Sequence, residues 1–140
     1  MRVAEVMTSD VEFVDAAMSV QEVAGVMGEL SVGALPVGTA DDLQGIVTDR
    51  DILFRVVARG LPGSTAVADV MTGRIYSCRA DDAIETALDL MGARNVRRLP
   101  VLDPDGRVVG LVTLSDLSRV LLLDSGVIQR AVQEVSAIPA

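Results

Sequence analysis

The sequence predicts an α/β (α+β) domain in which two β-α-β-β-α repeats pack about a pseudo-twofold axis. An internal duplication, its length and the make-up of its core predict this. Val3-Ala4-Glu5-Val6-Met7-Thr8 returns as Val67-Ala68-Asp69-Val70-Met71-Thr72, and Val32-Gly33-Ala34-Leu35-Pro36-Val37 as Val96-Arg97-Arg98-Leu99-Pro100-Val101. Gly45-Ile46-Val47-Thr48 likewise returns as Gly110-Leu111-Val112-Thr113. A unit this long that occurs twice is unlike a solenoid, where several short repeats must stack before any is stable. Half of the residues are hydrophobic, yet the only aromatics are Phe13, Phe54 and Tyr76. The core must therefore be Val, Leu, Ile, Ala and Met, which suits buried strands covered by helices.

The chain of 140 residues fits one domain, and either half alone would bury too little apolar surface, so the halves are expected to share a core. The expected layout is a first repeat over 1–60, a linker over 61–64, a second repeat over 65–124 and a tail over 125–140. In the first repeat Val20, Val23, Ala24 and Met27 recur at helical spacing, and Ser19 with Glu22 forms a capping-box start, predicting a helix over 19–30. Ile84, Ala87, Leu88 and Met91 keep the same stripe in the second. Each helix leads into a segment ending Leu-Pro-Val, a polar turn, and a second apolar run, over 43–48 and 108–113. Asp103-Pro104-Asp105-Gly106 has hairpin chemistry, with 38–42 its counterpart. Pro36 and Pro100 lack a donor, which places them at a strand end or edge. A further helix follows each hairpin, over about 49–59 and 115–123. Gly60-Leu61-Pro62-Gly63-Ser64 breaks the pattern between the halves. Val127, Ile128, Ala131, Val132 and Val135 share one face of an expected tail helix.

Composition excludes much chemistry. All 12 basic residues are arginine, and the chain has no Lys, His or Trp. There is thus no Ser/His or Cys/His dyad, no imidazole metal ligand, no Schiff-base lysine and no P-loop. No catalytic machinery is visible, so an enzyme is not expected. A net charge of −8 argues against a phosphate backbone as partner, and nucleic acid binding is not expected. The single Cys78 can form no internal disulfide. The chain start lacks signal-peptide character, and no apolar run reaches the roughly 18 residues of a membrane span. A cytoplasmic protein without membrane contact is expected.

Thr48-Asp49-Arg50-Asp51 and Thr113-Leu114-Ser115-Asp116 share the pattern Gly-apolar-Val-Thr-x-x-Asp at a strand-to-helix junction. Free backbone N–H groups there favour an anion, the Thr hydroxyl can donate to it, and the carboxylate can accept from paired hydroxyls. Phosphate and a ribose diol supply those groups. The same pattern also caps a helix without any ligand, and the two roles are compatible.

The paired Val-Met-Thr starts, Leu-Pro-Val segments and Gly-apolar-Val-Thr-x-x-Asp endings resemble a tandem pair of CBS domains, the cystathionine β-synthase modules, over about residues 1–124. The resemblance implies a Bateman module that pairs as a homodimer and binds adenosyl ligands, AMP, ADP, ATP or S-adenosylmethionine, in clefts between the halves. It implies a regulatory sensor, the rival being a dimerisation or scaffold module with no physiological ligand. Carried over by position, Thr48 and Thr113 contact phosphate, and Asp51 and Asp116 the ribose. Backbone near Val11 and Ile75, with the segments before Pro36 and Pro100, frames adenine. Arg97 and Arg98 stand where the first half has Gly33 and Ala34, so only one cleft gains guanidinium partners for extra phosphates. Which Thr/Asp pair shares that cleft depends on how the halves cross.

Other candidates are Arg94, with Arg97 and Arg98, as a phosphate clamp, and Cys78, which lacks an activating neighbour and reads as a structural thiol. Asp103-x-Asp105-Gly106 shares only its start with a calcium loop and lacks the later ligands.

Overall fold

A computed structural model describes residues 1–125 together with Arg130 and Gln133. The expected tail helix lies outside the described residues. Helix α1 (Val20–Leu30) begins where Ser19 Oγ accepts the Glu22 N–H at 3.2 Å. It ends at Ser31, whose left-handed backbone (φ 55°) is repeated at Asn95 (φ 54°) after α3 (Ile84–Arg94). Hairpin strands β1 (Ala34–Gly38) and β2 (Leu43–Thr48) follow α1, and β4 (Arg98–Leu102) and β5 (Val108–Thr113) follow α3. Both hairpins are antiparallel in matching register, with Leu35 opposite Val47 and Leu99 opposite Val112.

Two strand expectations need correction. The second half opens with β3 (Cys78–Arg79), parallel to β4, but the first half has only an isolated bridge between Val14 and Val37. The extra pair comes from Ala80, whose N–H donates to the Leu102 carbonyl at 3.1 Å, whereas Gly38, the equivalent of Leu102, leaves extended geometry at φ 118°. Pro36 and Pro100 lie in mid-strand and are fully buried; Pro36 is on an outer strand of the two-stranded sheet, as expected, but Pro100 is on β4, the central strand of its sheet, at neither an end nor an edge. Their ladder partners Ile46 and Leu111 turn N–H and C=O away, toward Thr72 and Thr8, so no donor is required of the prolines there.

The second helix of the first half, α2, runs over Asp49–Ile52 and widens into a π-helical turn over Leu53–Val57. Its counterpart α4 spans Leu114–Ser125. The Asp103 turn is held by its own carboxylate, which accepts the Asp105 and Arg107 N–H groups at 2.9 Å.

The halves do not share one core; they exchange starting segments between two. Val67 and Val70, from the second half, complete the cluster of Val20, Val23, Leu35, Val37 and Val47. Val3 completes the cluster of Ile84, Leu99, Val101, Val112 and Leu117. Backbone bonds anchor the exchange at equivalent places: Val3 N–H donates to Asp82 at 2.9 Å and Val67 N–H to Met18 at 2.8 Å. Val3 and Val67 are fully buried, and each contributes about 1.5 kcal/mol or more through lost apolar exposure. Each exchanged segment then continues, through Thr8 or Thr72, along the other half's second hairpin strand. Among the described residues no helix is long and apolar enough to cross a membrane.

Candidate functional site

The motifs that recur in sequence meet each other in space. Ile46 and Thr72 exchange backbone hydrogen bonds of 3.0 and 2.9 Å, as Leu111 and Thr8 do at 2.9 and 2.8 Å. One residue earlier on each strand stands a glycine, because the other half's methionine crosses there. A Cβ on Gly45 would come within 2.6 Å of Met71 Sδ and 2.9 Å of the Thr72 carbonyl oxygen, and Gly110 is packed in the same way against Met7 and Thr8. The Val-Met-Thr and Gly-apolar-Val-Thr motifs are thus two sides of one junction. Beside each junction lies a cleft with walls from both halves.

The first cleft comprises two recesses of about 170 and 1030 Å³ that share Thr48, Arg97 and Arg98. Ile46 and Thr48 come from the first half, and Thr72, Arg74, Ile75, Tyr76 and Val96 from the second. Asp49, Arg50 and Phe54 line the larger recess, with the Arg50 guanidinium 4.9 Å above the Phe54 ring. The second cleft, about 280 Å³, lies beside the other junction, between Leu111 and Thr8-Asp10-Val11-Glu12, with Val32, Ala34 and Pro36 as its apolar wall.

Both Thr/Asp pairs form complete capping boxes. Thr48 Oγ1 accepts the Asp51 N–H at 3.1 Å while Asp51 Oδ2 accepts the Thr48 N–H at 3.0 Å. For Thr113 and Asp116 the matching distances are 3.1 and 3.2 Å. Each Thr hydroxyl accepts in its box, leaving its proton available to donate. The pairs differ in their surroundings. Asp51 Oδ1 faces Arg55 Nε at 3.7 Å, and Arg55 Nη1 donates to the carbonyls of Val70 and Met71 at 3.0 and 3.2 Å. The equivalent place in the second half is Val120, which packs against the core. Asp51 also lines a small recess with Arg50, Phe54 and Arg55.

Among the residues singled out from the sequence, Thr48, Ile75, Arg97 and Arg98 converge on the first cleft, while Asp51 lines only the small recess, and neither Thr113 nor Asp116 is among the residues lining the second cleft. Val11 and Pro36 line the second, whereas Pro100 is buried within β4. Arg94 lies over the Tyr76 ring, 5.1 Å from its centre, and is not among the residues lining the first cleft. Arg74, Tyr76, Asp10 and Glu12 were not singled out. The signal was present, since the same 64-residue offset sets Arg74 against Asp10 and Tyr76 against Glu12. Cys78 is 4 % exposed, and burial, reinforced by the charge of Asp82, pushes its thiol up to about 11. Among the described residues no cluster of His, Cys, Asp or Glu could hold a metal ion.

The model of the CBS domain family matches residues 3–58 and 67–123. The CBS domain-containing protein YhcV of Bacillus subtilis is 39% identical over 116 residues, covering 83% of this chain and 82% of that protein. A solved putative signal-transduction protein with CBS domains from Burkholderia ambifaria superposes with a TM-score of 0.82 at 29% identity, over 89% of this chain and 96% of that one. The CBS domain pair of protein MJ0100, solved in complex with 5-methylthioadenosine and S-adenosylmethionine, superposes with a TM-score of 0.78 over 86% of this chain and 95% of that one. Its 24% identity shows a common fold.

Proposed function

The chain belongs to the CBS domain family, with two repeats, and from that premise we propose that it is a regulatory module that binds an adenosyl ligand between its halves and carries no catalysis of its own. One observation supports this above the rest: the first cleft joins the Thr48 hydroxyl of one half to Ile75, Arg97 and Arg98 of the other. An adenosine nucleotide presents matching chemistry. Its base is a flat apolar body for the wall of Ile46, Ile75 and Val96, and its phosphates accept from Thr48 and the guanidiniums. In this reading Asp51, in the small recess it shares with Arg50 and Phe54, accepts from the ribose through Oδ1, the oxygen that faces Arg55 Nε at 3.7 Å and is not engaged by the Thr48 N–H. A ligand held by both halves favours one arrangement of the two, and that bias is the signal passed to a regulated protein.

The assembly proposed is a homodimer. Leu53, Phe54 and Val57 on α2 are 54, 52 and 65% exposed, and Leu121 and Leu122 on α4 add further apolar surface, with Leu122 at the position equivalent to Val57. Covering such faces is what a symmetric partner does. The proposed setting is the cytoplasm, where adenosyl ligands are abundant and one unpaired cysteine suits a reducing compartment.

A thermal-shift panel of AMP, ADP, ATP and S-adenosylmethionine tests the ligand. A ligand selective for the folded state adds about 2.7 kcal/mol at one hundred times Kd, a rise of several degrees in Tm. No shift with any of the four at millimolar concentration would leave the dimer module without a ligand as the better account.

A further inference from the structure

The two clefts are alike in frame and opposite in charge. Taken at equivalent positions, Arg74 of the first cleft stands where the second has Asp10, Tyr76 where it has Glu12, Arg97 where it has Gly33, and Arg98 where it has Ala34. Building on the adenosyl reading, we propose that the clefts take ligands of opposite class: the first a polyphosphorylated adenosyl ligand, the second an adenosyl ligand that carries no phosphate.

In the first cleft Arg74, Arg97 and Arg98 form no ion pair among the described residues, so their charge is directed at whatever enters. Asp49 is the one carboxylate on that wall, and its Oδ1 already accepts the Arg50 N–H at 2.8 Å. A di- or triphosphate tail neutralises this excess of guanidinium charge, whereas a single phosphate reaches fewer of the three. The second cleft has the opposite balance. Asp10 and Glu12 stand at its mouth and no arginine lines it, while Val11, Val32, Ala34 and Pro36 retain the apolar wall. A phosphate there would meet two carboxylates without a counter-charge, and the repulsion falls on the phosphate alone. An uncharged adenosine or a cationic sulfonium such as S-adenosylmethionine avoids that penalty.

Calorimetry on the full chain with ATP, adenosine and S-adenosylmethionine, on wild type and two double variants, tests the assignment. Wild type should bind one ATP per chain, and S-adenosylmethionine should still bind when ATP saturates the first cleft. Arg97→Ala/Arg98→Ala should weaken ATP by roughly tenfold or more and adenosine far less. Asp10→Arg/Glu12→Tyr, which gives the second cleft the first one's side chains at exposed positions, should create a second ATP site. If the arginine variant does not fold, Arg74→Ala provides the same readout from an exposed residue. Two equal ATP sites in wild type, or ATP affinity unchanged in the arginine variants, would overturn the charge assignment while leaving adenosyl binding intact. Absence of binding by all three ligands would instead overturn the functional reading itself.

Discussion

The first cleft is lined by Arg74, Tyr76, Arg97 and Arg98, the second by Asp10, Glu12 and Ala34, with Gly33 at the fourth equivalent place. Around those positions almost nothing differs. Both clefts rest on a glycine crossed by a methionine and on a bridge from Thr8 or Thr72, and both halves carry a Thr/Asp box with distances of 3.0–3.2 Å. The residues that build the frame are those that recur in sequence, and the residues that set its charge are those that do not. The two copies keep the same packing constraints and differ at the positions that line the clefts.

If the frames are truly equivalent, damage to the shared junction should hurt both halves alike. Gly45→Ala and Gly110→Ala place a Cβ against a methionine and a neighbouring backbone carbonyl, and each should cost about 1–3 kcal/mol by overpacking. Denaturant melts should show comparable losses, and a loss confined to one glycine would break the equivalence. Removal of the caps is a smaller test of the same point. Thr48→Ala and Thr113→Ala should each cost about 0.5–2 kcal/mol, the range for a lost N-cap. Asp51→Ala and Asp116→Ala should both destabilise through the same boxes, and in the first cleft Asp51→Ala should also weaken an adenosine nucleotide. Destabilisation with unchanged affinity would show that Asp51 only caps.

Arg55 sharpens the comparison, because it ties Asp51 to the Val70 and Met71 carbonyls in one half while Val120 fills the equivalent place. Arg55→Val should cost about 1 kcal/mol, discounted because the side chain is 43% exposed, and should bring the two halves closer in behaviour. The smallest effect belongs to Cys78. A folded-state value near 11 lies above the ordinary thiol value of 9.0, so the fold favours the neutral thiol. The stability this contributes is fully present below pH 9 and is lost as pH rises through about 11. Thiolate absorbance of the native protein should titrate near 11, and a midpoint near 9 would mean that the thiol is open to solvent.

Much of this was legible in the sequence. The Ser19 cap, the stripe of Val20, Val23 and Met27, and the Asp103 turn are local features, and local chemistry determines them. The exchange of starting segments was not legible, because Val3 and Val67 are apolar residues that would fit either core and nothing local identifies the partner. The single-residue bridge at Val14 goes with Gly38, whose positive φ of 118° stands where Leu102 continues the pairing with Ala80 in the other half. Pro100 in a central strand was not legible either: it is tolerated because its ladder partner Leu111 turns its bonds away, toward Thr8 of the opposite half, and asks no donor of the proline. Likewise Arg97 and Arg98 stood out in sequence, but their convergence with Thr48 and Arg74 follows from how the halves cross.

The most direct measurement is a crystal structure of the full chain grown with ATP and S-adenosylmethionine together. One ATP per chain should occupy the first cleft, its phosphates against Thr48, Arg97 and Arg98, with S-adenosylmethionine beside Val11 and Glu12. ATP in both clefts, or ATP beside Asp10 and Glu12 with the arginine cleft empty, would contradict this assignment.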